Sequence, residues 1–174
     1  MEYSRSWRKL DTDINYTYSK STRKFEELNS NGSSFPYRYD RRHVGNISTI
    51  YNISKKLKLS ASFAFGTGLA ITQPVANYVI TPINFPPIDI RRIDTRNNTR
   101  IPNYHRLDLG GTFDWLGNVG EQQIKFSIHN VYFRQNAVFY ELRREKNEDG
   151  DDIERLYHRF VPPFLPSFSY TLRF

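Results

Sequence analysis

Four guanidinium groups stand within ten residues at Arg91, Arg92, Arg96 and Arg100. A planar guanidinium offers paired N–H donors, so the group suits carboxylates or phosphates on a ligand or on lipopolysaccharide. The same residues equally suit a solvated loop facing anionic lipid. Other chemistry is thinner. His43, His105, His129 and His158 lie far apart without paired metal-ligand spacing, and there is no cysteine to supply a thiolate. The acidic stretch Glu145 to Asp152 imitates a calcium loop with Gly150 at its turn, but Leu156 stands where a bidentate Glu is required. It reads as a solvated loop tip. No Ser-His-Asp order, nucleophile elbow or phosphate-binding glycine loop occurs. Asp108 and Asp114 share a strand face with Arg106, as paired charges lining a polar interior would. His129 falls on the same kind of face with Lys125 and Ser127. The expectation is no enzyme activity, no cofactor and no metal.

The elements that must position these groups show period two. In the last nine residues Phe168, Tyr170, Leu172 and Phe174 alternate with Ser167, Ser169, Thr171 and Arg173. That is a strand with one oily and one wet face. The pattern recurs from Thr12 (Ile14, Tyr16, Tyr18), at Ile47, Thr49 and Tyr51, and from Leu57 to Phe65. It returns at Leu107, Leu109, Phe113 and Trp115, and again at Ile124, Phe126, Ile128 and Tyr132. Strands are expected near 12–21, 44–52, 57–66, 104–115, 122–133 and 166–174. Met1 to Asp11 is charged and shows no period. Residues 21–42, with Asn31-Gly32 and Pro36, read as a long loop. The prolines and glycines of 67–103 break any regular element. Within 136–166, the segments 139–145 and 153–160 predict an exposed polar hairpin. The connections therefore run long, short, long, short, long. In an up-and-down sheet this sorts short turns to one end and long loops to the other, as in outer-membrane barrels.

Composition agrees with strands. Of 174 residues, thirteen are Phe, twelve Tyr and two Trp against one Met, so much of the apolar content is rings that suit strands and membrane-interface girdles. No run approaches the roughly 18 apolar residues of a transmembrane helix. No secretory signal opens the chain. The net charge of +7 is spread along the sequence. A single-strand nucleic-acid binder would place cations on the ring-bearing face. Here Lys58, Arg106, Lys125 and Arg173 fall on the opposite one, so nucleic acid is not an expected partner.

Several segments together resemble the C-terminal part of a TonB-dependent outer-membrane receptor, of the kind common in Bacteroidetes-type bacteria. They are Tyr39-Asp40-Arg41-Arg42-His43, Phe65-Gly66-Thr67-Gly68 with Ile71-Thr72-Gln73-Pro74, and Arg100-Ile101-Pro102-Asn103-Tyr104-His105-Arg106-Leu107-Asp108-Leu109. To these add Ser127-Ile128-His129-Asn130-Val131-Tyr132 and the terminal Pro166 to Tyr170 with Phe174. The resemblance covers nearly all of the chain from Thr12. It implies an all-β fold: about six antiparallel up-and-down strands of a larger transmembrane barrel of about 22 strands. It implies an outer-membrane location and energised uptake of a large or scarce nutrient. The implied partners are outer-membrane lipid, the remaining strands and plug of the parent receptor, and TonB through the missing N-terminal part. Plug domain and signal peptide are absent from the sequence. A small non-transporting outer-membrane barrel with a structural or adhesive role is the alternative. Lipid-facing positions are expected at Leu57, Leu59, Phe63, Leu107, Leu109, Phe113, Ile124, Phe126, Phe168 and Leu172. Unpaired sheet edges are expected at strands 12–21 and 166–174.

Overall fold

The computed structural model describes residues 1–27, 32–148, 150, 152–160 and 164–174. Asn31 of the expected Asn-Gly turn, and Asp149 and Asp151 of the acidic loop, lie outside the described residues. In chain order the strands are β1 (Glu2–Trp7), β2 (Leu10–Tyr18), β3 (Thr22–Arg23), β4 (Phe35–Pro36), β5 (His43–Asn52), β6 (Leu57–Gly66), β7 (Ala70–Ile71) and β8 (Ala76–Ile80). They continue as β9 (Ile88–Arg92), β10 (Thr99–Arg100), β11 (Tyr104–Gly117), β12 (Gly120–His129), β13 (Ala137–Lys146), β14 (Asp152–Phe160) and β15 (Leu165–Arg173). The protein is all-β. It divides into two compact units, one made of Met1–Thr17, Val44–Gly66 and Tyr104–Phe174, the other of Tyr18–His43 and Thr67–Asn103.

The first unit is built on a seven-stranded sheet of order β1-β2-β5-β6-β11-β12-β15. Every pairing whose register is defined is antiparallel. Short turns at residues 8–9, 53–56 and 118–119 join strands at one end. From the opposite ends the chain runs into the long connections. Gly120 is needed where the 118–119 turn meets β12. Its φ is +126°, and a Cβ there would run into the Arg173 carbonyl of the neighbouring strand.

Several expectations require correction. Met1 to Asp11 is not a ragged start. Tyr3, Arg5 and Trp7 pair with Ile14, Thr12 and Leu10 across the Arg8-Lys9 turn, so the sheet gains a seventh strand. Its period is hidden because Arg5 interrupts the apolar row. The second sheet edge is consequently β1 and not the strand beginning near Thr12, while β15 forms the other edge as expected. The strand expected to reach residue 133 ends at His129. Asn130 (φ 55°) and Phe133 (φ 59°) adopt left-handed backbone, which a strand cannot continue.

The long connections also carry short ladders that their proline content conceals: β3 with β4, β7 with β10, and β8 with β9. In the β8–β9 hairpin the prolines gather in the turn at Pro82, Pro86 and Pro87, leaving the strands free to pair. The polar hairpin expected in the third connection is β13–β14, with Tyr140 opposite His158 and Lys146 opposite Asp152.

Candidate functional site: two sheet faces and a loop unit closed on Asp40

Register decides what each sheet face carries, because directly opposed residues share a face. One row runs Tyr51, Leu59, Gly111, Phe126, Phe168, and another runs Leu57, Phe113, Ile124, Tyr170. Ile47, Phe63 and Leu107 form a third, and Leu172 lies opposite Gln122. All ten expected apolar positions therefore lie on one face. Tyr3, Trp7, Leu10 and Ile14 extend it through β1 and β2. Rings concentrate toward both ends of this face. Trp7, Tyr51, Phe113, Trp115 and Tyr170 lie toward the short turns, and Tyr16, Phe63 and Phe65 toward the long connections. Trp115 touches both Phe113 and Tyr170, with ring centroids 5.6 and 6.3 Å away. Among the described residues none forms a second layer over this face. Phe168 is 67% exposed, and Leu59, Leu109, Phe113 and Phe126 are each more than two-fifths exposed.

The opposite face is a polar ladder. Lys58 lies opposite Thr112, Asp108 opposite Ser62, and Lys125 opposite both Thr112 and Ser169. Its groups bond across strands: Ser48 to Ser62 at 3.1 Å, Ser127 to Ser167 at 2.7 Å, and Gln123 Nε2 donating to Asp114 at 2.6 Å. Lys58 Nζ stands 3.8 Å from Asp114. Ile50, opposite Ser60, is an apolar exception. Toward the long-connection end polar groups collect around Asp108. It accepts the Asn130 N–H at 2.9 Å, and Arg106 Nε and His129 Nδ1 stand 3.2 and 3.3 Å away. Arg106 Nη1 also reaches His129 Nε2 at 3.1 Å. A guanidinium only donates, so in this contact Nε2 is the acceptor. The ring thus resembles a His-Asp catalytic pair, but the nitrogen that would take a proton from a nucleophile is occupied by Arg106. Beside it, Asn136 closes a reciprocal pair with the His105 backbone at 3.1 and 2.9 Å.

The second unit is organised around Asp40, which is 1% exposed. Its Oδ1 accepts the Ser21 N–H at 2.5 Å, and its Oδ2 accepts Arg42 Nε at 3.0 Å and Arg100 Nη2. Arg100 Nη1 donates to the Asp40 carbonyl at 2.7 Å and to the Gly68 carbonyl at 2.9 Å. Burial raises the Asp40 pKa, but the Ser21 amide and the two guanidiniums outweigh it and hold the carboxyl at about 2. Gly68 is close-packed in this arrangement. A Cβ there would collide with the Ile101 carbonyl, and its own N–H donates to Asn103 Oδ1 at 3.1 Å. His43 and Thr67 exchange bonds, Thr67 N–H to the His43 carbonyl at 2.9 Å and His43 N–H to Thr67 Oγ1 at 3.2 Å. Three stretches of the resemblance, around Asp40, Gly68 and Arg100, thus meet in one cluster. The buried apolar side chains among the described residues, Phe35, Ala70 and Ile101, belong to the same unit.

The four arginines of the sequence quartet are therefore not equivalent. Arg100 spends its guanidinium on Asp40 and Gly68. Arg91 and Arg92 end β9, Arg92 Nε lying 2.9 Å from Asp94, and Arg96 follows in the turn before β10. Sequence reasoning missed Asp40 because its partner Arg100 is sixty residues away and its neighbours read as a charged loop. Among the described residues no group of three His, Cys, Asp or Glu is placed to hold a metal, and no helix is long and apolar enough to cross a membrane. Comparison with protein-family models, with curated proteins and with solved structures finds no match to this chain.

Proposed function

We propose that this chain is a segment of the transmembrane barrel of an outer-membrane TonB-dependent receptor, contributing wall and outward loops to energised uptake of a large or scarce nutrient. The observation that carries the reading is the uncovered apolar face. A seven-stranded sheet of a water-soluble protein would bury one face against a second layer. Here the oily face has none among the described residues, while the other face sets Lys58 beside Asp114 and His129 beside Asp108 across neighbouring strands. Lipid outside and a polar lumen inside ask for this division, and aromatic rows toward both ends suit the two membrane interfaces. The sorting of short turns and long connections supports the same reading. So does the convergence of the resembling motifs on Asp40, since they share one structural task.

In this reading the parent receptor supplies the plug, the TonB contact and the strands that pair with β1 and β15. The terminal Phe168, Tyr170, Leu172 and Phe174 form the lipid side of the last strand. Ligand or lipopolysaccharide contacts fall to Arg91, Arg92 and Arg96, and Arg100 holds the loop that presents them. The test is fractionation followed by uptake. The chain should sediment with outer membranes and require detergent for release, and the full receptor with Arg91→Glu and Arg96→Glu should lose uptake. A chain that stays in the soluble fraction and binds oligonucleotide in a salt-dependent way would overturn the reading. The small non-transporting barrel remains the second reading, favoured by β1, which brings the strand number to seven against about eight in the smallest barrels. Plug-encoding sequence immediately upstream of Met1 decides for the receptor.

A further inference from the structure

The β8–β9 hairpin carries an apolar stripe that neither the sheet nor the Asp40 cluster uses. In its register Ile80 lies opposite Ile88, Tyr78 opposite Ile90 and Ala76 opposite Arg92, so these six share one face. Tyr78, Ile80, Ile88 and Ile90 are all about half exposed. The stripe continues into the turn, where Ile83 is 88% and Phe85 69% exposed. Hydrophobic residues so placed cost free energy in water, and a soluble loop tip would carry polar ones. The turn backbone is also poor in donors. Pro82, Pro86 and Pro87 have no N–H, and the Phe85 N–H is already bonded to the Pro82 carbonyl at 3.3 Å. Asn84, with φ 67°, occupies the left-handed position that lets the turn close. Few amides would therefore be stripped of water if this tip entered an apolar medium. At the other end of the stripe the sequence changes character. Arg91 and Arg92 close β9 and Arg96 follows four residues later, with Asp94 beside Arg92.

We propose that the β8–β9 hairpin is a wedge for an anionic lipid surface, its Ile83–Phe85 tip entering the acyl boundary while Arg91, Arg92 and Arg96 meet the phosphates of the headgroups. The order along the hairpin is that of an interfacial anchor: apolar tip, then an aromatic with a polar end at Tyr78, then guanidiniums. A binding pocket in a protein partner would complement the tip but has no need of the cations behind it. This inference goes beyond the barrel reading and stands without it, because a wedge needs only a lipid surface.

The absence of cysteine permits a clean test. Single cysteines at Ile83, at Glu148 in the β13–β14 turn and at Leu109 on the sheet carry an environment-sensitive fluorophore. The full chain is reconstituted in nanodiscs of phosphatidylcholine alone or with an equal part of phosphatidylglycerol, and acrylamide quenching is read. The expected result is several-fold protection of the Ile83 label on adding phosphatidylglycerol, with Glu148 unprotected in both discs. The combined Arg91→Glu, Arg92→Glu and Arg96→Glu change should remove that protection. An Ile83 label as accessible as Glu148 overturns the proposal. So does protection that is equal in neutral discs or unchanged by the charge reversal. The Leu109 label reports separately on the sheet: quenched there, it counts against the barrel reading and leaves the Ile83 result to stand or fall by itself.

Discussion

The two units solve the problem of burial in opposite ways. The loop unit closes on itself, with Asp40 buried under two guanidiniums and Phe35, Ala70 and Ile101 packed away from solvent. The sheet unit leaves many large apolar side chains exposed, and the buried side chains among its described residues are the polar Asn130 and Asn136. The larger sheet is therefore the part that depends on its surroundings, and the small, proline-rich unit is the part that holds itself together.

The largest effect expected on this contrast comes from Asp40→Ala. Removing one partner of a buried charge pair costs about 3–5 kcal/mol, since the remaining charges lose their compensation. Amides of the loop unit, Ser21 and Tyr37 among them, should exchange hydrogen far faster while those of β6 and β11 keep their protection. Loss of protection throughout the sheet would mean that the two units are not separate. Next comes Leu109→Arg, near the middle of β11 on the apolar face. A cation at mid-bilayer depth costs about 2–4 kcal/mol, against little for Thr112→Arg on the polar face, as measured by folding equilibria in lipid vesicles. Equal costs at the two positions would remove the distinction between faces.

Acid gives a smaller, graded effect. The Asp40 pKa is depressed from 3.8 to about 2, so the unfolded unit binds its proton first as pH falls. The stabilisation is complete above 3.8 and disappears as pH drops through about 2. Proteolysis of residues 19–42 by an acid-active protease should rise across that window, and Asp40→Asn should flatten the rise. The smallest effect belongs to the exposed Arg92–Asp94 pair. Asp94→Asn should leave the midpoint of chemical denaturation almost unchanged, because water and salt screen a pair this exposed.

The regular part of the fold was legible because strands announce themselves by period two. Leu57 to Phe65 and Leu107 to Phe113 each alternate cleanly, and their registers followed. β1 was not legible, since Arg5 sits in its apolar row. The loop ladders were masked by prolines that gather in turns, as at Pro82 to Pro87. The Asp40 cluster lay beyond local pattern because, Arg42 aside, its bonds join residues far apart in sequence, Ser21 and Arg100 to Asp40 and Arg100 to Gly68. Arg100 illustrates the limit: composition grouped it with Arg91, Arg92 and Arg96, and only geometry separates a structural guanidinium from those near the hairpin.

The central claim is that the two sheet faces meet different media, and cysteine scanning along β11 tests it most directly. Nitroxide labels placed singly from Leu107 to Phe113 in the reconstituted chain should alternate. Labels at 107, 109, 111 and 113 should collide with lipid-dissolved oxygen, and labels at 108, 110 and 112 with a water-soluble nickel chelate. Uniform access to the chelate at all seven positions, or alternation in the opposite phase, would contradict the account.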